Sequence, residues 1–256
     1  MRCFFRHSMV LCALLSVAAW GFADQQYSEV FDQTYALDAG GTVTLDNVNG
    51  DVSIEVWERP EVQVRAVKKA SSQELLDGLK INVKADGSAV RIDTDYPSTR
   101  GQWNGERVRL EVEYTLTVPR SAALDDIDLV NGNLSVVGVE GGIQAESVNG
   151  TIVVRDSAGD ANLSTVNGGI ELYVDRLGSD DKVGLESVNG SIDLYLSGSV
   201  SADLRAESVN GGIQNAFGLE VHKGKYVGSD LQGTVGGGGA RVELETVNGK
   251  IAVLGW

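Results

Sequence analysis

An all-β fold of stacked coils, a β-solenoid with an irregular β cap on its N-terminal side, is predicted by three features of this sequence. The triplet Val-Asn-Gly occurs seven times, at Asn49, Asn131, Asn149, Asn167, Asn189, Asn210 and Asn248. Apolar residues stand at fixed offsets on both sides of it. Glycine is abundant, 32 of 256 residues, and proline is scarce, at 3.

Successive triplet asparagines are 82, 18, 18, 22, 21 and 38 residues apart. A sustained period near 20 residues marks a repeat architecture. The last gap is twice 19, so a degenerate copy is expected near Val227-Gly228-Ser229. Three residues after each Asn stand Val52, Leu134, Ile152, Ile170, Ile192, Ile213 and Ile251. Five after stand Ile54, Val136, Val154, Leu172, Leu194, Asn215 and Val253, and four before stand Leu45, Ile127, Ala145, Leu163, Leu185, Ala206 and Leu244. This period-2 alternation predicts two short strands per repeat.

Asn-Gly between alternating runs ordinarily reads as a tight hairpin. Here the residue before Asn is always Val, whereas the residue two after it is polar or Gly. Paired across a two-residue turn, these would face opposite media. The Val and Gly instead run in phase with the apolar positions that follow, which predicts a corner between strands with its phase break just before Val. Gly is expected there for backbone conformations closed to other residues. The seven asparagines are the structural corner of the repeat, either as a stacked ladder of amide hydrogen bonds or as exposed turn formers.

In chain order, residues 1–23 read as a signal peptide. Arg2 and Arg6 supply the charge, Met9 to Trp20 the apolar run, and Gly21-Phe22-Ala23 a cleavage site. The run is too short to span a bilayer comfortably. Both cysteines, Cys3 and Cys12, lie inside this segment, so no disulfide framework is expected after cleavage. Residues 24–120 form an N-terminal β region holding the first repeat and the cap, and contain Pro60, Pro97 and Pro119. Strands are expected over Glu61–Val67, Lys80–Lys84, Ala89–Asp93 and Val108–Val118, with a turn at Asp86-Gly87. Ser72–Leu79 suits a short helix capped by Ser71 or Ser72. Residues 121–256 carry the remaining repeats, with Trp256 as the expected plug of an otherwise open sheet edge.

The run Val43-Thr44-Leu45-Asp46-Asn47-Val48-Asn49-Gly50-Asp51-Val52-Ser53-Ile54, then Trp57, then Leu116-Thr117-Val118-Pro119, then recurrent Val-Asn-Gly-x-Ile resembles a bacterial family. This is the "putative adhesin" or toast-rack β-strand repeat family, a domain of unknown function. The resemblance covers about Phe31 to Val253. It implies a β-repeat fold, export to the cell envelope, no catalytic motif, and roles in adhesion or envelope-stress signalling.

Composition narrows the chemistry. Lys and Arg total 21 against 36 Asp and Glu, a net charge of -15. Without Arg2 and Arg6 the balance is 19 against 36, or -17. Such a surface disfavours nucleic acid, which is bound by releasing counterions to clustered cations, and disfavours adsorption to anionic lipid. His222 is the one histidine beyond residue 23, too little for a Ser-His-Asp site. Without Cys there is no thiolate zinc site. No catalytic residue, metal site or cofactor is assigned.

Carboxylates at Asp125, Asp126, Asp128, Asp180 and Asp181 keep open an acid/base glycan-cleaving enzyme on a β-helix. Coils as tight as 18 residues leave little room for the loops of a catalytic cleft. A candidate ligand face is Tyr173 and Tyr195, six after Asn in consecutive coils, with Glu171 and Asp193 four after. These four suit a sugar platform or plain cross-strand packing. Arg65, Lys68 and Lys69 read as a solvated strand face. The sequence therefore predicts an exported, monomeric, non-catalytic binding or scaffold module of the cell envelope, in the periplasm or at the surface. It would display a rigid face to a protein or glycan, bind no nucleic acid and span no membrane after cleavage. The alternatives are a signalling module acting through a membrane partner and the acidic polysaccharide-active enzyme.

Overall fold

The structure is a computed structural model that describes residues 26–98, 108–224 and 227–256. The expected signal peptide lies outside the described residues. Those described are all-β apart from one short helix. The N-terminal portion holds β1 (Tyr27–Asn49), β2 (Val52–Trp57), β3 (Glu61–Ala70), α1 (Gln73–Gly78), β4 (Lys80–Ala85), β5 (Gly87–Asp95) and β6 (Leu110–Pro119). Then come β7 (Ala123–Asn131), β8 (Leu134–Val137), β9 (Ile143–Asn149), β10 (Ile152–Ala158), β11 (Ala161–Asn167), β12 (Ile170–Arg176), β13 (Lys182–Asn189) and β14 (Ile192–Leu196). The chain ends with β15 (Ala202–Asn210), β16 (Ile213–Asn215), β17 (Val221–Lys223), β18 (Ser229–Val235), β19 (Ala240–Asn248) and β20 (Ile251–Gly255).

Strands on the two sides of each triplet belong to different sheets. Those beginning three residues after Asn pair in parallel in the order β2, β8, β10, β12, β14, β20, β16, the first sheet. Those ending at Asn pair in parallel in the order β1, β7, β9, β11, β13, β19, β15, the second sheet. Asn-Gly thus hands the chain from one sheet to the other and closes no hairpin. Residues four before, three after and five after Asn point between the sheets, where Leu45, Ile54, Leu163, Ile170, Leu172, Leu185 and Val253 are fully buried.

The N-terminal strands close one side. The first half of β1 pairs antiparallel with β3, and its second half lies between β5 and β7, so one strand serves both sheets. Helix α1 starts where expected: Ser72 Oγ accepts from the Leu75 amide at 3.2 Å, and Leu75 and Leu76 face inward. The Asp86-Gly87 turn joins β4 and β5 as an antiparallel pair. Lys68 and Lys69 are engaged rather than freely solvated, with Glu29 at 2.8 Å and Glu113 at 2.5 Å.

Four further details differ from the sequence expectation. The triplet valine is not in phase with the core: Val48, Val130, Val148, Val166, Val188, Val209 and Val247 are 39–49% exposed. The inward position is two before Asn, filled by the buried Ser147, Thr165, Ser187, Ser208 and Thr246, so the break comes after Asn. Of the triplet glycines only Gly50 has a left-handed φ, 121°. The others are needed because the glycines stack: a Cβ on Gly168 would lie 2.0 Å from the Gly150 carbonyl oxygen, and one on Gly190 1.7 Å from that of Gly168.

The third difference is the order of the coils. The final one, β19–β20, does not follow β15–β16 in space but sits between it and β13–β14. Trp256 accordingly plugs no end: it is 56% exposed and meets the Tyr173 ring edge-on at 6.1 Å. Fourth, Ser229 starts no further coil. It opens β18, which runs antiparallel to β15 and to β17 and borders the second sheet at its far end.

Candidate functional site

Each rung of the stack is built from the four residues that end in the triplet. The Thr165 hydroxyl donates to the Gly150 carbonyl at 3.1 Å, Ser187 to Gly168 at 3.0 Å and Thr246 to Gly190 at 3.0 Å. The Gly amide donates to the neighbouring Asn carbonyl, as Gly150 does to Asn167 at 3.1 Å. These bonds pull the glycines into contact. They also fix the asparagines at one height per coil.

The asparagine side chains form one ladder, each amide donating to the next carbonyl oxygen at 2.8–3.0 Å. The order is Asn131 to Asn49, Asn149 to Asn131, Asn167 to Asn149, Asn189 to Asn167, Asn248 to Asn189 and Asn210 to Asn248. It is a surface ladder; all its members but the half-buried Asn49 are exposed. The first rung is reinforced by Tyr96, whose hydroxyl donates to Asn47 Oδ1 at 2.8 Å; burial pushes that phenol up to about 12.

Beside the ladder runs the valine ridge, and beyond it, three residues before Asn, a row of carboxylates. Cross-strand register places Asp93, Asp46, Asp128, Glu146, Ser164, Glu186, Glu245, Glu207 and Asp230 on consecutive strands of the second sheet. Eight of these nine are acidic, and like charges directly opposite oppose pairing. Burial, then Asp93 and Asp126, raises the Asp46 carboxyl. Burial, then Asp126, Asp46 and Glu146, raises that of Asp128, whose Oδ1 is buried with no hydrogen-bond partner. Among the described ion pairs only Glu207 of this row is engaged, with Arg205 at 2.7 Å. Shallow grooves of about 370 and 310 Å³ lie between the row and the ridge and meet at Ser164 and Val166. The row was open to sequence reading, since the residue three before Asn is acidic in six of seven repeats.

The outer face of the first sheet carries the four residues singled out as a ligand face. Register brings Glu171 beside Asp193 and Tyr173 beside Tyr195. The tyrosine rings stack at 4.2 Å and 3°. The other face of Tyr173 receives the Arg155 guanidinium at 5.0 Å, and Arg155 also pairs with Glu171 at 3.5 Å. Burial and then Glu171 raise the Asp193 carboxyl. Both faces of Tyr173 are thus covered, and ring edges and the carboxylates meet solvent.

The other acidic candidates fall in two places, Asp126 on β7, near enough to raise the Asp46 and Asp128 carboxyls, and Asp181 in the turn before β13. Asp126 occupies a left-handed bulge, φ 73°, on β7, while Asp181 accepts from the Gly178 amide in a turn at 2.7 Å. His222 is exposed on β17. Among the described residues no group of three or more His, Cys, Asp or Glu side chains is arranged to hold a metal ion. No described helix is long and apolar enough to cross a membrane.

No family model and no curated protein matches the chain. Several solved structures are similar to it. One, named as a putative cell adhesion protein from Clostridium sporogenes, is 15% identical, with 89% of this chain and 100% of the other covered at a TM-score of 0.48. A putative lipid binding protein from Parabacteroides distasonis is 12% identical, covering 89% and 94% at 0.33. A putative adhesin from Bacteroides fragilis is 9% identical, covering 88% and 97% at 0.31.

Proposed function

We propose that this protein is an exported β-solenoid serving as a non-catalytic, adhesin-like binding and scaffold module of the bacterial cell envelope. The observation that carries this reading is the in-register repetition of outward side chains: valine, carboxylate and asparagine recur on successive strands of one face. Side chains held at sheet spacing form a surface whose geometry is set before binding. Little ordering entropy is then lost on contact, which favours recognition of an extended partner. The candidate acids divide between β7 and the turn before β13 rather than lining one cleft, which favours display over catalysis.

A protein or a glycan fits this reading. The glycan would meet the edges of Tyr173 and Tyr195 and the Glu171–Asp193 pair. The test is site-specific crosslinking in cells that express the chain with its own N-terminal segment, followed by fractionation. Capture of one envelope component from residues on the outer sheet faces, and from none at buried positions, is the expected result. Uniform labelling of many components, or no envelope fraction at all, would overturn the proposal.

A further inference from the structure

The valine ridge and its flanks define what they can take. Seven valines, each 39–49% exposed, lie one per coil beside the asparagine ladder. At about 4.8 Å per strand their six steps run about 29 Å. The structure leaves this apolar line open to solvent, although monomers rarely expose extended apolar surface without a use for it. One flank of the ridge is the amide ladder. The other is the carboxylate row, with its unpartnered Asp128 oxygen and, among the described residues, cationic pairing at Glu207 alone. Stacked acids of this length lower the stability of the sheet that carries them. A partner bringing positive charge reverses that effect. The net charge of -15 also steers such a partner toward the molecule.

Resting on the binding-module reading above, we propose that the outer face of the second sheet docks a polypeptide segment with an apolar stripe flanked by Lys and Arg side chains. The apolar stripe seats on the valine ridge and the cations lie over the carboxylate row. A helix of about 19 residues has the length of the ridge. Like-charged neighbours repel an acidic segment, and a polar segment gains nothing from the ridge. Charge complementarity sets the approach, and apolar contact sets the residence time.

The test uses three synthetic helical peptides of about 19 residues: Leu/Lys, Leu/Glu and Ser/Lys amphipathic sequences. Titration into the whole chain is followed by calorimetry. Binding of Leu/Lys with little binding of the other two is expected. Val166→Ser with Val188→Ser should weaken it about tenfold, and Glu186→Gln with Glu245→Gln should lower its salt dependence. Cooperative thermal unfolding and an unchanged circular dichroism spectrum verify the fold of the variants. Equal binding of Ser/Lys, or indifference to the valine substitutions, overturns the proposal in favour of unspecific attraction. Self-association that disappears with the valine substitutions overturns it in favour of a second copy of the chain. Cellular crosslinking that persists unchanged in the Val166→Ser, Val188→Ser protein sinks this docking face while leaving the binding-module reading intact. Loss of all capture in the wild type sinks that reading instead.

Discussion

Gly168 shows how one residue type serves a purpose other than turn formation. Its φ is ordinary, but its α-carbon packs on the Gly150 carbonyl. Gly168→Ala is expected to cost at least about 2 kcal/mol, because backbone rather than a flexible side chain must give way. Gly212 is the control, since a methyl group at its α-carbon would meet nothing within 4 Å. Gly212→Ala should leave the denaturation midpoint unchanged or slightly raised. Asn167 donates one ladder hydrogen bond and accepts another, at 2.9 and 3.0 Å, both on the surface. Water replaces part of what is lost, so Asn167→Ala should lower stability by about 1 kcal/mol in urea titrations. A loss several times larger would mean that the ladder behaves as a buried network.

At the scale of the strand, the carboxylate row makes stability depend on pH in an unusual direction. The Asp128 carboxyl is raised in the folded protein, by burial first and by Asp126, Asp46 and Glu146 next. A raised acid binds its proton more tightly when folded than when unfolded. Its favourable contribution is complete below the unfolded value of about 3.9 and is lost as pH rises through the folded value. At pH 7 the ionised Asp128 therefore weighs against the fold. Asp128→Asn should raise the melting temperature at neutral pH, with the gain disappearing near pH 3. A gain that is the same at both pH values would mean that charge is not its origin. Asp46, raised by burial, then Asp93 and Asp126, should behave alike.

At the scale of the molecule, the final coil is inserted one place short of the far end of the stack. β19 lies between β13 and β15, and β20 between β14 and β16. The strands β15 and β16 have no parallel partner until residues 240–256 are in place. Removal of 240–256 should therefore unfold the whole region from residue 202 onward. Hydrogen exchange should show protection lost there and kept in β7 through β12. Protection retained over 202–216 in the truncated chain would mean that β15 and β16 can dock directly on β13 and β14.

Local patterning determined much of this protein. Apolar residues at offsets of -4, +3 and +5 from Asn fixed where strands run and which side faces the core, because alternation is written in consecutive residues. The short helix and the Asp86-Gly87 turn were legible for the same reason, while the choice of Ser72 over Ser71 as the cap came from the structure. The outward valine was not legible, because Ser and Thr two before Asn do not look like core residues. Only the neighbouring Gly carbonyl makes their burial favourable. The tyrosine pair was legible as a pair; the Arg155 cover on it was not. The carboxylate row is repeated in the sequence, but its continuity across β5 and β18 depends on pairings that no repeat encodes. The order of coils was decided by the tertiary structure alone. From β9 onward every coil presents the same hydroxyl, asparagine and glycine to its neighbours, so each of these fits beside any other, and which one it joins is set by connections and packing across the whole stack.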